Sequence, residues 1–191
     1  MARVLVVNSS FRKNSNSTAL GAKVAAGAGK AGHQVKTLNI GRLRIEPCRG
    51  CGGCMRPGAN FCVIKDDMTT LYQDAYEAEV LVYVGPIYWF NLGGQLKQFI
   101  DRCYAIAVKP ESDAQGDAVP FGKKKLAAAF AYEGDDPFES GAINAIRSLQ
   151  DTCSYAGAAW GGVYYATANA EGEMLQNQQA QEGAEKFGSS L

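Results

Sequence analysis

Five short apolar runs punctuate the chain: Val4–Val7, Val35–Ile40, Val80–Val84, Leu126–Tyr132 and Trp160–Ala166. Runs such as Val80-Leu-Val-Tyr-Val lack the alternation of a half-solvated strand, so they predict strands covered on both faces. Between them, helical periodicity predicts helices over 17–32, 68–78, 94–107 and 139–156, with a fifth near 171–187. In the third, Leu96, Phe99, Ile100, Cys103 and Ala107 share one stripe, with Lys97, Asp101 and Arg102 elsewhere. Strand–helix alternation of this kind implies right-handed βαβ units in a doubly wound α/β domain.

No internal repeat, linker or second core interrupts the pattern, so one domain over 1–191 is expected. The stretch from Lys109 to Lys125 reads as a polar, Pro/Gly-bearing insertion. The C-terminal residues, rich in Gln, Glu, Asn and Ala, read as a solvated helix with a frayed tail.

Composition narrows the partners. Apolar residues are 47% and charged residues 20%, and 19 basic side chains balance 19 acidic ones. That balance leaves no electrostatic footprint for nucleic acid or an anionic membrane. The apolar run at the N-terminus is too short for a signal segment, and none approaches membrane-spanning length. A cytoplasmic protein acting on small molecules or other proteins is expected.

The first strand ends in Asn8-Ser-Ser-Phe-Arg-Lys-Asn-Ser-Asn-Ser-Thr18, followed at once by a helix. Five hydroxyls, three amides and two cations in eleven positions exceed what a solvated loop needs. Set before a helix N-terminus, with its free N–H groups and positive dipole end, they suit a phosphate monoester. Ser17 or Thr18 is expected as the helix N-cap. No G-x-G-x-x-G follows the first strand and no G-x-x-x-x-G-K-[ST] is present, which argues against a Rossmann pyrophosphate site and a P-loop. The acidic residues of a phospho-receiver are missing too.

The third strand leaves the sheet as Gly85-Pro-Ile-Tyr-Trp-Phe-Asn-Leu-Gly-Gly94. Ligands of doubly wound sheets collect beyond the carboxyl ends of the strands, where the strand order switches. Phosphate donors on one loop and three adjacent aromatics on the next suit a phosphate-tailed planar heterocycle. Covering a subunit interface is the other use of such aromatics.

After strand 2 comes Cys48-Arg-Gly-Cys51-Gly-Gly-Cys54, with Cys62 further on, in a loop over 47–67. C-x2-C-x2-C brings thiolates round one centre, as in [4Fe–4S] ligation. Cys48, Cys51, Cys54 and Cys62 could hold such a cluster, a zinc ion, or no metal. Cys103 and Cys153 read as buried small hydrophobes. Asp66 and Asp67 read as an N-capping pair for the second helix, and His33 as a surface residue without a partner.

The first loop, the run G-P-I-Y-W-F-N-x-x-G-x-L-K-x-F-I-D-R over Gly85–Arg102 and the cysteine block together resemble the NADPH-dependent FMN reductase family, nearest its iron–sulfur flavoprotein branch. The resemblance runs from residue 3 to about 166 and weakens towards the C-terminus. It implies a flavodoxin-like five-stranded parallel sheet of order 2-1-3-4-5, FMN as cofactor, and a homodimer or homotetramer. Carried over, Ser10, Arg12, Asn16, Ser17 and Thr18 would contact the phosphate. Pro86, Ile87, Tyr88, Trp89, Phe90 and Asn91 would flank the ribityl chain and ring, with Glu133 and Gly134 on the ring's other side. The family's Gly-Ser-Pro-Arg is here Ser9-Ser10-Phe11-Arg12, so Phe11 would redirect the loop or cover the cofactor. The implied activity is electron transfer from NAD(P)H through FMN to a flavin, quinone or other acceptor. Two alternatives stand beside it: a carrier exchanging electrons with ferredoxin, and a flavin-binding module that senses redox state through its thiols.

Overall fold

A computed structural model describes residues 1–109 and 119–191; most of the expected insertion lies outside the described residues. The elements are β1 (Arg3–Asn8), α1 (Asn16–Lys30), β2 (Gln34–Asn39), α2 (Met68–Glu77), β3 (Val80–Tyr88), β4 (Asn91–Leu92), α3 (Gly94–Arg102), α4 (Tyr104–Ala107), β5 (Lys125–Tyr132), α5 (Ala142–Ala156), β6 (Ala159–Thr167) and α6 (Gln178–Ser189). Five parallel strands form the sheet in the order β2-β1-β3-β5-β6. This is the expected flavodoxin-like order, with one addition: two-residue β4 turns back antiparallel against the end of β3.

Because successive strand side chains face opposite ways, each strand supplies two cores. Val4, Val6, Val80, Val82, Val84, Ala127 and Ala129 pack under α1 and α6, against Leu20, Val24 and Ala184. Leu5, Val7, Leu81, Tyr83, Leu126 and Phe130 pack on the opposite face, against Leu71, Phe99 and Leu149. Both faces are covered, which is why the strands read as unbroken apolar runs.

Four local expectations need correction. The third helix is not continuous: it breaks at Cys103 between α3 and α4. Arg102, expected off the buried stripe, is 1% exposed. Its guanidinium pairs with Asp66 at 2.6 and 3.1 Å and donates to Glu46 O at 2.8 Å. Asp66 is thus an ion-pair partner rather than a plain cap, although Oδ1 also accepts from Met68 N. Asp67 stands at the α2 N-cap without a capping bond and accepts from Arg44 N instead. His33 is half-buried and takes a bond from Ala2 N at 3.0 Å.

The C-terminal segment is no frayed tail. Its helix begins at Gln178, after a single 3-10 turn at Glu173–Leu175, and packs on α1 through Ala180, Ala184 and Gly188. A Cβ added at Gly27 would lie 1.9 Å from Glu185 O, and one at Gly188 2.1 Å from Val24 O. The two helices therefore touch backbone to backbone. A buried stripe made of Ala and Gly carries little hydropathy, so the segment reads as solvated.

Candidate functional site

Loops leaving the carboxyl ends of β1, β3, β5 and β6 enclose a cavity of about 380 Å³, within the usual size range of ligand sites. Strand order reverses between β1 and β3, where loops on the two sides of the reversal open a crevice. Gly85 lets these two strand ends approach: a Cβ there would meet Ser9 Oγ at 2.4 Å. Ser9 in turn donates through N and Oγ to Val84 O, at 2.9 and 3.1 Å.

The β1–α1 loop supplies Ser10, Arg12, Ser15, Asn16 and Ser17 to the cavity wall. Ser10 accepts from Arg12 N at 3.3 Å, which folds the loop back on itself. Ser15, not Ser17 or Thr18, is the N-cap: its side chain accepts from Thr18 N. Ser17 is left lining the cavity, and the N–H groups of Asn16 and Ser17, unlike that of Thr18, lie in the first turn where the helix offers no acceptor. Thr18 does not line the cavity; its Oγ1 accepts from Asn8 Nδ2 at 2.7 Å. Asn16 lines it, but its carboxamide is engaged elsewhere: Nδ2 donates to Ala170 O at 2.8 Å and Oδ1 accepts from Met174 N at 3.1 Å. Phe11 is half-exposed and stands outside the lining.

The β3–β4 connection supplies Pro86, Ile87, Tyr88 and Trp89. Tyr88 pairs with Asn91, so Trp89 and Phe90 are the two central residues of a tight hairpin turn. Both have positive φ, 49° and 63°, as a type I′ turn demands, where Asn-Gly is the usual choice. Two aromatics in that conformation are strained. Phe90 is anchored: its carbonyl accepts from Asn144 Nδ2 at 3.0 Å, and its ring lies against Gly141. Trp89 is left 92% exposed at the cavity rim. Phe90 and Asn91 do not line the cavity, and Asn91 Oδ1 accepts from Leu92 N.

Across from this turn stand Ala131, Tyr132 and Glu133. Gly134 is turned away, its carbonyl accepting from Tyr165 Oη at 2.7 Å and Thr167 Oγ1 at 3.0 Å. The fourth wall, Ala168–Glu171 after β6, is absent from the sequence reading. The resemblance fades before it, and the signal that could have found it is positional: it leaves the carboxyl end of a parallel strand.

The cysteine-bearing segment lies between β2 and α2, away from this cavity's lining. Cys48 and Cys51 are exposed, Cys54 and Cys62 half-buried, and all are free thiols. Among the described residues, no group of three or more His, Cys, Asp or Glu side chains is placed to hold a metal ion. Cys54 nevertheless lies within electrostatic reach of Cys62, Cys48 and Cys51, and burial together with these neighbours raises its thiol pKa. The two ends of the cysteine-bearing segment are tied together by Arg102, which bonds both Glu46 O and Asp66, while Phe61 stacks on Tyr72 at 5.0 Å. Cys103 and Cys153 are buried as expected, and burial pushes their thiols up, to about 12 and about 11.

A sequence model for the family described as having the flavodoxin-like fold matches residues 2–191. The chain belongs to that family. Among its relatives, an iron–sulfur flavoprotein of Archaeoglobus fulgidus is 34% identical over 80 residues, covering 42% of this chain and 36% of that protein. The chain is also 25% identical over 189 residues to Bacillus subtilis YwqN, whose name describes an NAD(P)H-dependent FMN-containing oxidoreductase, covering 97% and 96% of the two. Its fold matches an NAD(P)H:quinone oxidoreductase from Methanothermobacter marburgensis with a TM-score of 0.70 and 16% identity, covering 98% and 96% of the two chains. The relatives' names agree with the resemblance read from the sequence. Among the described residues of this flavodoxin-like protein, no helix is long and apolar enough to cross a membrane.

Proposed function

We propose that this protein is an FMN-dependent oxidoreductase that passes electrons from NAD(P)H to a flavin, quinone or other small acceptor. One observation carries the proposal: an oxygen- and nitrogen-donor cradle at the start of α1 and an aromatic turn after β3 share a single cavity at the β1/β3 reversal. The donor set fits a phosphate monoester. Ser10 and Ser17 offer hydroxyls, Arg12 a guanidinium, and α1 its first-turn N–H groups and dipole. Pro86 and Ile87 would lie along the ribityl chain, Tyr88 and Trp89 beside the ring, and Glu133 opposite them. Bound there, FMN supplies the hydride and electron chemistry, and the protein supplies placement and shielding.

One relative, named as an NAD(P)H-dependent FMN-containing oxidoreductase, supports this reading along nearly the whole chain. Those named iron–sulfur flavoproteins match over a smaller part of their length. Among the described residues the four cysteines are not grouped as a ligand set, and electron passage from NAD(P)H through FMN needs neither a cluster nor ferredoxin.

The test is flavin content and turnover on protein purified without oxygen, with iron and acid-labile sulfide measured on the same sample. Stoichiometric FMN and catalytic NAD(P)H oxidation with a quinone or free flavin are expected. Flavin reduced only by ferredoxin or dithionite would remove the NAD(P)H step. Failure to take up FMN on titration would remove the proposal.

A further inference from the structure

The last wall of the cavity is held from both sides. Glu173 Oε2 accepts from Asn169 N at 2.7 Å and from Ala170 N at 2.9 Å. These two N–H groups hold its carboxyl below the ordinary carboxylate range. From the other side, Asn16 grips Ala170 O and Met174 N with opposite ends of one carboxamide. The N–H groups of Ala168, Asn169 and Ala170 and the carbonyl of Ala170 are thus satisfied within the protein. A loop so fixed does not have to be ordered when a ligand arrives.

We propose that Asn16 and Glu173 are positioning residues that latch the loop Ala168–Glu171 to the start of α1 as the closing wall of the cavity. The proposal rests on reading that cavity as the flavin site. It also reassigns Asn16, which the family resemblance makes a direct phosphate ligand. With one amide N–H and the carbonyl oxygen already engaged, its main work is holding the loop. Glu173 stands outside the cavity lining and bonds the loop that forms the wall, so it is placed to act on a ligand through that loop.

The experiment compares wild type, Asn16→Ala, Glu173→Ala, Glu173→Gln and the Asn16→Ala/Glu173→Ala double variant. Hydrogen exchange on the cofactor-free proteins reads the amides of Asn169, Ala170 and Met174. Fluorescence titration gives the affinities for FMN and for riboflavin, which lacks the phosphate. Each alanine variant should exchange these amides faster and bind both flavins about tenfold more weakly. The double variant should lose less than the product of the two single losses, because both act on one loop. Glu173→Gln keeps an acceptor oxygen and should restore most of the affinity. A loss confined to FMN in Asn16→Ala, with riboflavin binding and loop protection intact, would make Asn16 a phosphate ligand and overturn the latch. Wild-type affinity for both flavins in Glu173→Ala would overturn it equally. A wild type that binds neither flavin defeats the cofactor reading, whereas unchanged exchange in Asn16→Ala defeats the latch itself.

Discussion

Two buried cations show how single residues escape a reading by periodicity. Arg102 sits where the helical stripe predicts solvent, yet it is enclosed with Asp66, Glu46 O and the Tyr72 hydroxyl around it. Burial works against both charges of the pair. The mutual hydrogen bonds outweigh it, raising the Arg102 pKa and lowering that of Asp66. Removing one partner strands the other, so Arg102→Met or Asp66→Asn should cost about 3–5 kcal/mol in urea unfolding. Because the folded Asp66 pKa lies below its unfolded value, the stability it contributes is complete above the unfolded pKa and disappears as pH falls through the folded one. Lys124 behaves in the opposite sense. Burial lowers its pKa to about 7, although its ammonium donates to Tyr76 O and Ala78 O, at 2.8 and 2.5 Å. Between that value and the ordinary 10.5 the unfolded chain binds the extra proton, so stability should rise with pH across this window. Below about 7 the penalty is fully present. In Lys124→Met this rise with pH should be lost from thermal melts taken between pH 7 and 9.

At the scale of elements, the turn joining β3 to β4 keeps a conformation its residues resist. Trp89 contributes almost no buried area yet holds a positive φ, a cost of about 1–2 kcal/mol for an L side chain. Trp89→Gly should therefore stabilise the flavin-free protein by about 1 kcal/mol, read as a higher urea midpoint. The same change should weaken flavin binding, since the ring at the rim is lost. A glycine variant that gains stability and keeps full affinity would show that the strain serves something else. The turn was legible as a run of aromatics, and the β1–α1 loop as a run of donors, because side-chain chemistry is written directly in sequence. Which members face inward was not legible. Thr18, Phe90, Asn91 and Gly134 turn away because each finds a partner within the protein: Asn8, Asn144, Leu92 N, and the pair Tyr165 and Thr167. The β6–α6 loop was hidden for another reason. Its role comes from where β6 ends, which only the sheet order reveals.

For the whole molecule, the parallel, doubly wound character of the sheet follows from alternation of buried runs with amphipathic helices and was readable from residues alone, whereas its strand order came with the family resemblance. What was not readable is how the chain's two ends meet. Gly27 and Gly188 bring α1 and α6 into backbone contact, and the β6–α6 loop leads into α6 through the 3-10 turn at Glu173–Leu175. A methyl group at either glycine would collide with a carbonyl oxygen, at 1.9 or 2.1 Å, and a backbone atom cannot swing aside as a side chain can. Alanine's better helix propensity offers up to about 1 kcal/mol in return, while overpacking costs about 1–3 kcal/mol and occasionally more. Gly27→Ala and Gly188→Ala should thus both destabilise, with the urea midpoint as the readout. If the contact also governs the cavity, flavin affinity should fall in these variants even under conditions where they remain folded. Arg102→Met, which disturbs the opposite face of the sheet, should lose stability and leave that affinity nearly intact. Equal losses of affinity in both kinds of variant would mean that global stability, rather than the meeting of α1 with α6, decides how tightly the cavity closes.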